Sequence, residues 1–222
     1  VGTALSNALK AVSEHPAMYD DPFMYGGRPG LLNWVYEAWR RGNGEPLSVE
    51  MMKRICFKEV PANFDPCFNE AIARAAEPNG YRHIHLVRCN VFAQLASRGV
   101  AEQLDAWSRD ETATKTASLV QLEPLDVDDL IRKYYRGGEC WAALERDLPG
   151  FLTVRSEDVA SRDCARRRVE IVRILDFLDI PADRLATVDD ILSEDGDNTE
   201  ALWSKVPNIE ALSRALAQRG IG

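Results

Sequence analysis

Ile84-His85-Leu86-Val87-Arg88-Cys89-Asn90, running on through Val91-Phe92-Ala93-Gln94-Leu95-Ala96-Ser97, decides how the rest of this chain is read. With His83, its opening residues form a short, mostly apolar run that fits a strand buried on both faces. From Val91 the apolar residues recur at helical spacing as far as Ala106. The unit is therefore a strand that ends in a charge and turns into a helix. In open α/β sheets, ligands bind outside the carboxyl ends of the strands. Arg88 stands at such an end, placed to fork onto a phosphate. Ser97 follows nine residues later, and its hydroxyl reaches the same anion if the helix passes beside the strand end. The plainer alternative is that Arg88 pairs with a carboxylate and Ser97 is a small packing residue.

Outward from this segment the pattern repeats. Apolar periodicity predicts helices over 4–14, 31–41, 68–76, 127–148, 159–179 and 209–219. His15-Pro16 stops the first, Gly42-Asn43-Gly44 ends the second, Pro181 breaks the long charged one, and Gly220 follows the last. Short β-type runs fall at 55–60 and 151–155, the former closed by Pro61. Residues 17–30, 108–123 and 193–199 read as loops. Alternating strands and helices with short buried strands predict an α/β domain of three layers. A short central parallel sheet would be flanked by many helices. At 222 residues and 45% hydrophobic content the chain suits a single domain spanning 1–222.

The totals exclude some classes. A net charge of −8 argues against a general nucleic-acid binder, though not against a local basic pocket for a small anion. The five cysteines, Cys56, Cys67, Cys89, Cys140 and Cys164, are widely spaced and form no CxxC pair. No metal site is expected from them, and free thiols in a reducing cytoplasm are the simplest reading. No apolar run is long enough to span a membrane. No signal peptide is visible, and the chain opens without a methionine.

Several local features bear on chemistry. Val1-Gly2-Thr3-Ala4-Leu5 opens a helix, and a glycine followed by a hydroxyl residue at a helix start can wrap N–H groups around a phosphate. A plain capped N-terminal helix is the competing reading. His83 and His85 share one strand face, which reads as packing rather than as metal ligation in the absence of a third ligand. The Arg166-Arg167-Arg168 run reads as a solvated helix face with Asp163 and Glu170 nearby, more than as an anion site. Trp34 and Trp39 read as core or interface residues rather than sugar platforms.

Taken in order, these segments resemble the PAPS-dependent sulfotransferases, in particular the bacterial carbohydrate- and tyrosine-type branch. LVRCNVFAQLAS resembles the family's 3′-phosphate segment, with Trp107 where many members carry a tryptophan. VGTALSNALKAVSEHP is similar to the second half of the 5′-phosphosulfate loop and its helix. FLTVRSEDVASRDCARRRVEIVRILDFLDIP resembles a scaffold strand, turn and helix, with Arg155-Ser156 in place of Arg-Tyr. WSKVPNIEALSRAL is similar to the C-terminal segment.

The resemblance implies a P-loop-like fold and 3′-phosphoadenosine-5′-phosphosulfate (PAPS) as donor, with PAP as product. It implies that Arg88 and Ser97 hold the 3′-phosphate and that Gly2, Thr3 and Ala4 lie in the 5′ loop, Ala4 replacing a common hydroxyl residue. By the same match Lys205 approaches the cofactor phosphates, and Asn208 sits at a turn. The strand, loop start and cation that precede Gly2 in the family are expected upstream of Val1. The acceptor base is expected in the loop after His15-Pro16, with Asp21 first and Asp20 second. Each also suits a turn-capping role before Pro22. Lys58 is a further candidate near the reacting centre, or else a lysine facing water from an edge strand. The expected partner is a carbohydrate or small-molecule acceptor, with no nucleic acid and no membrane, in the cytoplasm. Apart from Trp107, residues 105–150, where the acceptor would be chosen, give no usable match to the family. Two other functions compete: a P-loop small-molecule kinase, which would need magnesium, and a catalytically inactive relative acting as an interaction module.

Overall fold

The computed structural model describes residues 2–13, 18–20, 24–25, 28–29, 33–42, 56–58, 66–105, 121–148, 150–193 and 203–221. Their elements are, in chain order, α1 (Gly2–Val12), β1 (Met18–Asp20), β2 (Met24–Tyr25), β3 (Arg28–Pro29), α2 (Asn33–Arg40), β4 (Cys56–Lys58), α3 (Pro66–Ala76) and β5 (His83–Val87). There follow α4 (Val91–Leu104), α5 (Val127–Asp147), β6 (Phe151–Arg155), α6 (Ser156–Val159), α7 (Cys164–Phe177), α8 (Leu185–Ser193) and α9 (Ile209–Gln218). The protein is mixed helix and strand, and mostly helical. Among the described residues the strands form two-stranded ladders: β1 with β4 and β5 with β6 are parallel, and β2 with β3 is antiparallel.

The chain divides into two compact units, Val1–Val87 with Gly137–Gly196 and Arg88–Arg136 with Asp197–Gly222. The first is built on the β5–β6 pair, whose register runs from His83 opposite Phe151 to Val87 opposite Arg155. Period-two alternation sorts its side chains. Ile84, Leu86, Leu152 and Val154 join a core with Leu5, Ala8, Leu9 and Val12 of α1, Ile171, Ile174 and Leu175 of α7, and Val188 and Leu192 of α8. On the other face Phe151 packs with Ala73 of α3 and Trp141, Leu144 and Leu148 at the end of α5. Helices thus cover both faces of this parallel pair, which is why its strands read as apolar runs.

The second unit is helical. Val91, Leu95, Ala96, Gly99 and Val100 form the buried stripe of α4. They pack with Leu122, Leu125, Leu130, Ile131, Val206, Leu212 and Leu216. Gly99 lies in close contact with two leucine side chains. A Cβ there would lie 2.5 Å from Leu125 Cδ2 and 3.2 Å from Leu130 Cδ1.

Two local expectations are corrected, and one helix is added where none was expected. Within 17–30, expected as loop, the described residues form the short strands β1, β2 and β3; two- and three-residue strands leave no periodicity to read. The helix expected over 159–179 starts later, at Cys164, and Val159 instead closes the short α6. Asp163 caps α7 by accepting from the N–H groups of Ala165 at 2.9 Å and Arg166 at 3.4 Å. Past Pro181, Leu185–Ser193 is a further helix, α8, with Val188 and Leu192 in the core.

Candidate functional site

Arg88 directly follows the last residue of β5, and Asn90 caps the helix that comes next. The Asn90 side-chain oxygen accepts the Ala93 N–H at 2.9 Å, which satisfies one of the helix's free first-turn donors. Arg88 is half-buried, while Cys89 and Asn90 are exposed. Ser97 sits in the middle of α4 and is half-buried. At 1.5 Å per residue it lies about 10 Å along the axis from the cap.

Lys205 belongs to the same unit and is half-buried. Its carbonyl accepts the Leu122 N–H at 2.9 Å. Asn208, just before α9, bonds the Leu125 backbone twice. Its Oδ1 accepts the Leu125 N–H at 2.7 Å, and its Nδ2 donates to the Leu125 carbonyl at 2.9 Å. The Lys205 segment is therefore fixed against residues 122–125 by three backbone-directed bonds, which neutral side-chain periodicity gives no means of reading.

The remaining expected site residues lie in the other unit. Gly2 and Thr3 form the first turn of α1, and Ala4 packs against the α1–α7–α8 core. Helix α1 packs on both β1 and β4. In that parallel ladder Asp20 and Lys58 are register partners, each the last residue of its strand. The two thus meet at the shared carboxyl end of a pair that borders the helix starting at Gly2. Asp21, Trp107 and His15 lie outside the described residues.

The Arg run is tied up in ion pairs. Arg167 is buried, and its Nε donates to Asp189 Oδ1 at 2.6 Å while Nη1 donates to the Ser161 carbonyl at 2.7 Å. Arg168 Nε meets the other Asp189 oxygen at 2.7 Å, and Arg166 Nε donates to Asp158 at 2.7 Å. Burial alone would raise the Asp189 carboxyl; the Arg168 and Arg167 guanidiniums outweigh it and hold the group below the usual carboxylate value. This clamp joins α7 to α8, and the run is structural rather than an open anion face. Asp189, which sequence reasoning missed, stands over twenty residues from its partners, beyond any local spacing signal.

Among the described residues no three His, Cys, Asp or Glu side chains converge as metal ligands, and no helix is long and apolar enough to cross a membrane. Trp39 packs against Phe68 at 5.1 Å, whereas Trp34 is 56% exposed.

Fold and geometry together define a mostly helical α/β protein with parallel strand pairs whose carboxyl ends carry Asp20, Lys58 and, one residue on, Arg88. No protein-family description, curated protein or solved structure matches the chain.

Proposed function

We propose that the protein is a PAPS-dependent sulfotransferase of three-layer, P-loop-like architecture, acting on a carbohydrate or small hydroxylated acceptor. The reading rests chiefly on one observation. Arg88 follows the carboxyl end of a parallel strand covered by helices on both faces, and an Asn-capped helix carrying Ser97 succeeds it. In an open α/β sheet that position is the ligand end. Arg offers a planar fork suited to a phosphate, and a hydroxyl on the following helix adds a further donor.

Sulfuryl transfer is in-line. The acceptor oxygen forms a bond to sulfur as the bond between sulfur and the 5′-phosphate oxygen breaks, and PAP leaves. The acceptor proton passes to a carboxylate, Asp21 or Asp20. Charge grows on the departing 5′-phosphate, and the α1 start at Gly2-Thr3 supplies N–H groups and the positive end of the helix dipole toward it. Lys205 adds positive charge near the cofactor phosphates. Lys58, register partner of Asp20, is the further candidate for contacts near the reacting group. The protein's work is mainly positioning and charge stabilisation, as in phosphoryl transfer.

Incubation with sulfur-labelled PAPS and a panel of sugars and small alcohols, in the presence of EDTA, tests this reading. Labelled acceptor and free PAP are the expected products. Transfer of phosphate from ATP that requires magnesium, with no sulfate transfer, would establish the kinase instead.

A further inference from the structure

The face of β5 turned toward α3 and α5 carries His83 and His85, where the opposite face carries Ile84 and Leu86. His85 stacks on Trp141 with ring centroids 5.0 Å apart and meets Phe151 edge-on at 6.0 Å. His83 stacks on Phe151, its register partner, at 5.6 Å. His83 Nε2, His85 Nδ1 and Trp141 Nε1 are all buried without a hydrogen-bond partner. Buried polar atoms are normally satisfied, so three orphans in one cluster call for an explanation.

The charged groups around the pair are few. From α5, Glu145 Oε1 stands 3.7 Å from His85 Nδ1, beyond hydrogen-bond length. From the turn after α3, Glu77 bears weakly on His83. Arg74 of α3 and Asp147 of α5 pair with each other at 3.2 Å. Strand β6 offers Phe151 and Thr153, which carry no charge. Burial is the leading influence on both imidazoles and disfavours their charged forms. Glu145 opposes it at His85, and the Ala73 backbone and Glu77 oppose it at His83, without overcoming it.

We propose that His83 and His85 form an acid-operated latch: with both rings neutral the last turns of α5, from Trp141 to Asp147, stay closed over β5, and protonation releases them. A histidine whose proton affinity is lowered in the closed state takes up a proton on opening. The closed state therefore keeps its full stability above the ordinary histidine value of 6.5 and loses it as pH falls below that value. The loss approaches about tenfold in the opening equilibrium per pH unit for each histidine.

Amide hydrogen exchange over 141–148 between pH 7.5 and 5.5, corrected for intrinsic rates, reads the latch directly. Protection is expected to drop below pH 6.5, with the slope reduced in His85→Gln. Should that variant not fold, NMR titration of the wild-type imidazoles decides; with three histidines in the chain every signal is assignable. Both β5 rings are expected to titrate below 6.5. Titration at or above 6.5, or unchanged protection across the range (as a water satisfying the orphan nitrogens would give), overturns the proposal.

Discussion

Asp189 shows how one residue can settle the meaning of a charged run. Its side chain is 5% exposed and takes both Arg167 and Arg168, while Cys164 Sγ approaches the same carboxylate at 3.7 Å. Asp189→Asn leaves Arg167 buried with its charge uncompensated. The expected loss is about 3 kcal/mol, toward the low end for buried pairs because Arg168 is half in water. Urea denaturation measures it. The same carboxylate gives an acid dependence separate from that of the histidines. Its proton affinity is depressed in the folded state, so its contribution is present above the ordinary aspartate value of 3.8 and is lost as pH falls through the folded value. Acid unfolding of Asp189→Asn is expected to lack this component below about pH 4. From sequence alone the basic run read as a solvated helix face with Asp163 and Glu170 nearby; Arg166 and Arg168 are exposed, but Arg167 is buried against Asp189. Glu170 does pair, with Arg173 at 2.6 Å, and Asp163 serves as a helix cap instead.

At the scale of elements, α4 depends on Gly99. Gly99→Ala gains about 1 kcal/mol of helix propensity but forces a methyl into the Leu125 side chain. Overpacking costs about 1–3 kcal/mol, so a net destabilisation of about 1 kcal/mol is expected. Leu125→Ala made in the same chain is expected to remove the clash, and a double-mutant cycle by chemical denaturation reads the coupling. Asn90→Ala is expected to cost about 1 kcal/mol through loss of the cap on Ala93. Long periodic elements were legible: the helices beginning at Val91 and Val127 and the strands at His83 and Phe151 appear where the apolar pattern put them. What escaped has physical causes. Strands of two or three residues show no period, Asp163 near the start of its charged segment looks like one more surface acid and not a cap, and α8 follows a proline that normally signals a stop. His83 and His85 read correctly as packing residues, but the orphaning of their nitrogens depends on Trp141 and Glu145, far along the chain.

At the scale of the whole molecule, the expectation of one domain over 1–222 meets a chain that groups into two compact units. Gly2, Thr3, Ala4, Asp20 and Lys58 fall in one, and Arg88, Ser97 and Lys205 in the other. Spacing in the sequence placed Arg88 at a strand end and Ser97 on the next helix, because both are local to one strand–helix step. The pairing of Asp20 with Lys58 is long-range and needed the register of β1 with β4. If the chain moves sulfuryl groups by positioning and fixed charge, PAP affinity is expected to be unchanged by EDTA, whereas a kinase site loses nucleotide affinity with its magnesium.

The most direct measurement is calorimetric titration with PAP, with Arg88→Ala alongside. Micromolar binding that weakens in the variant by about 2–4 kcal/mol, the loss expected for a buried charge-assisted phosphate contact, is the predicted result. Absence of PAP binding by the wild-type protein, or full affinity in Arg88→Ala, would contradict the account.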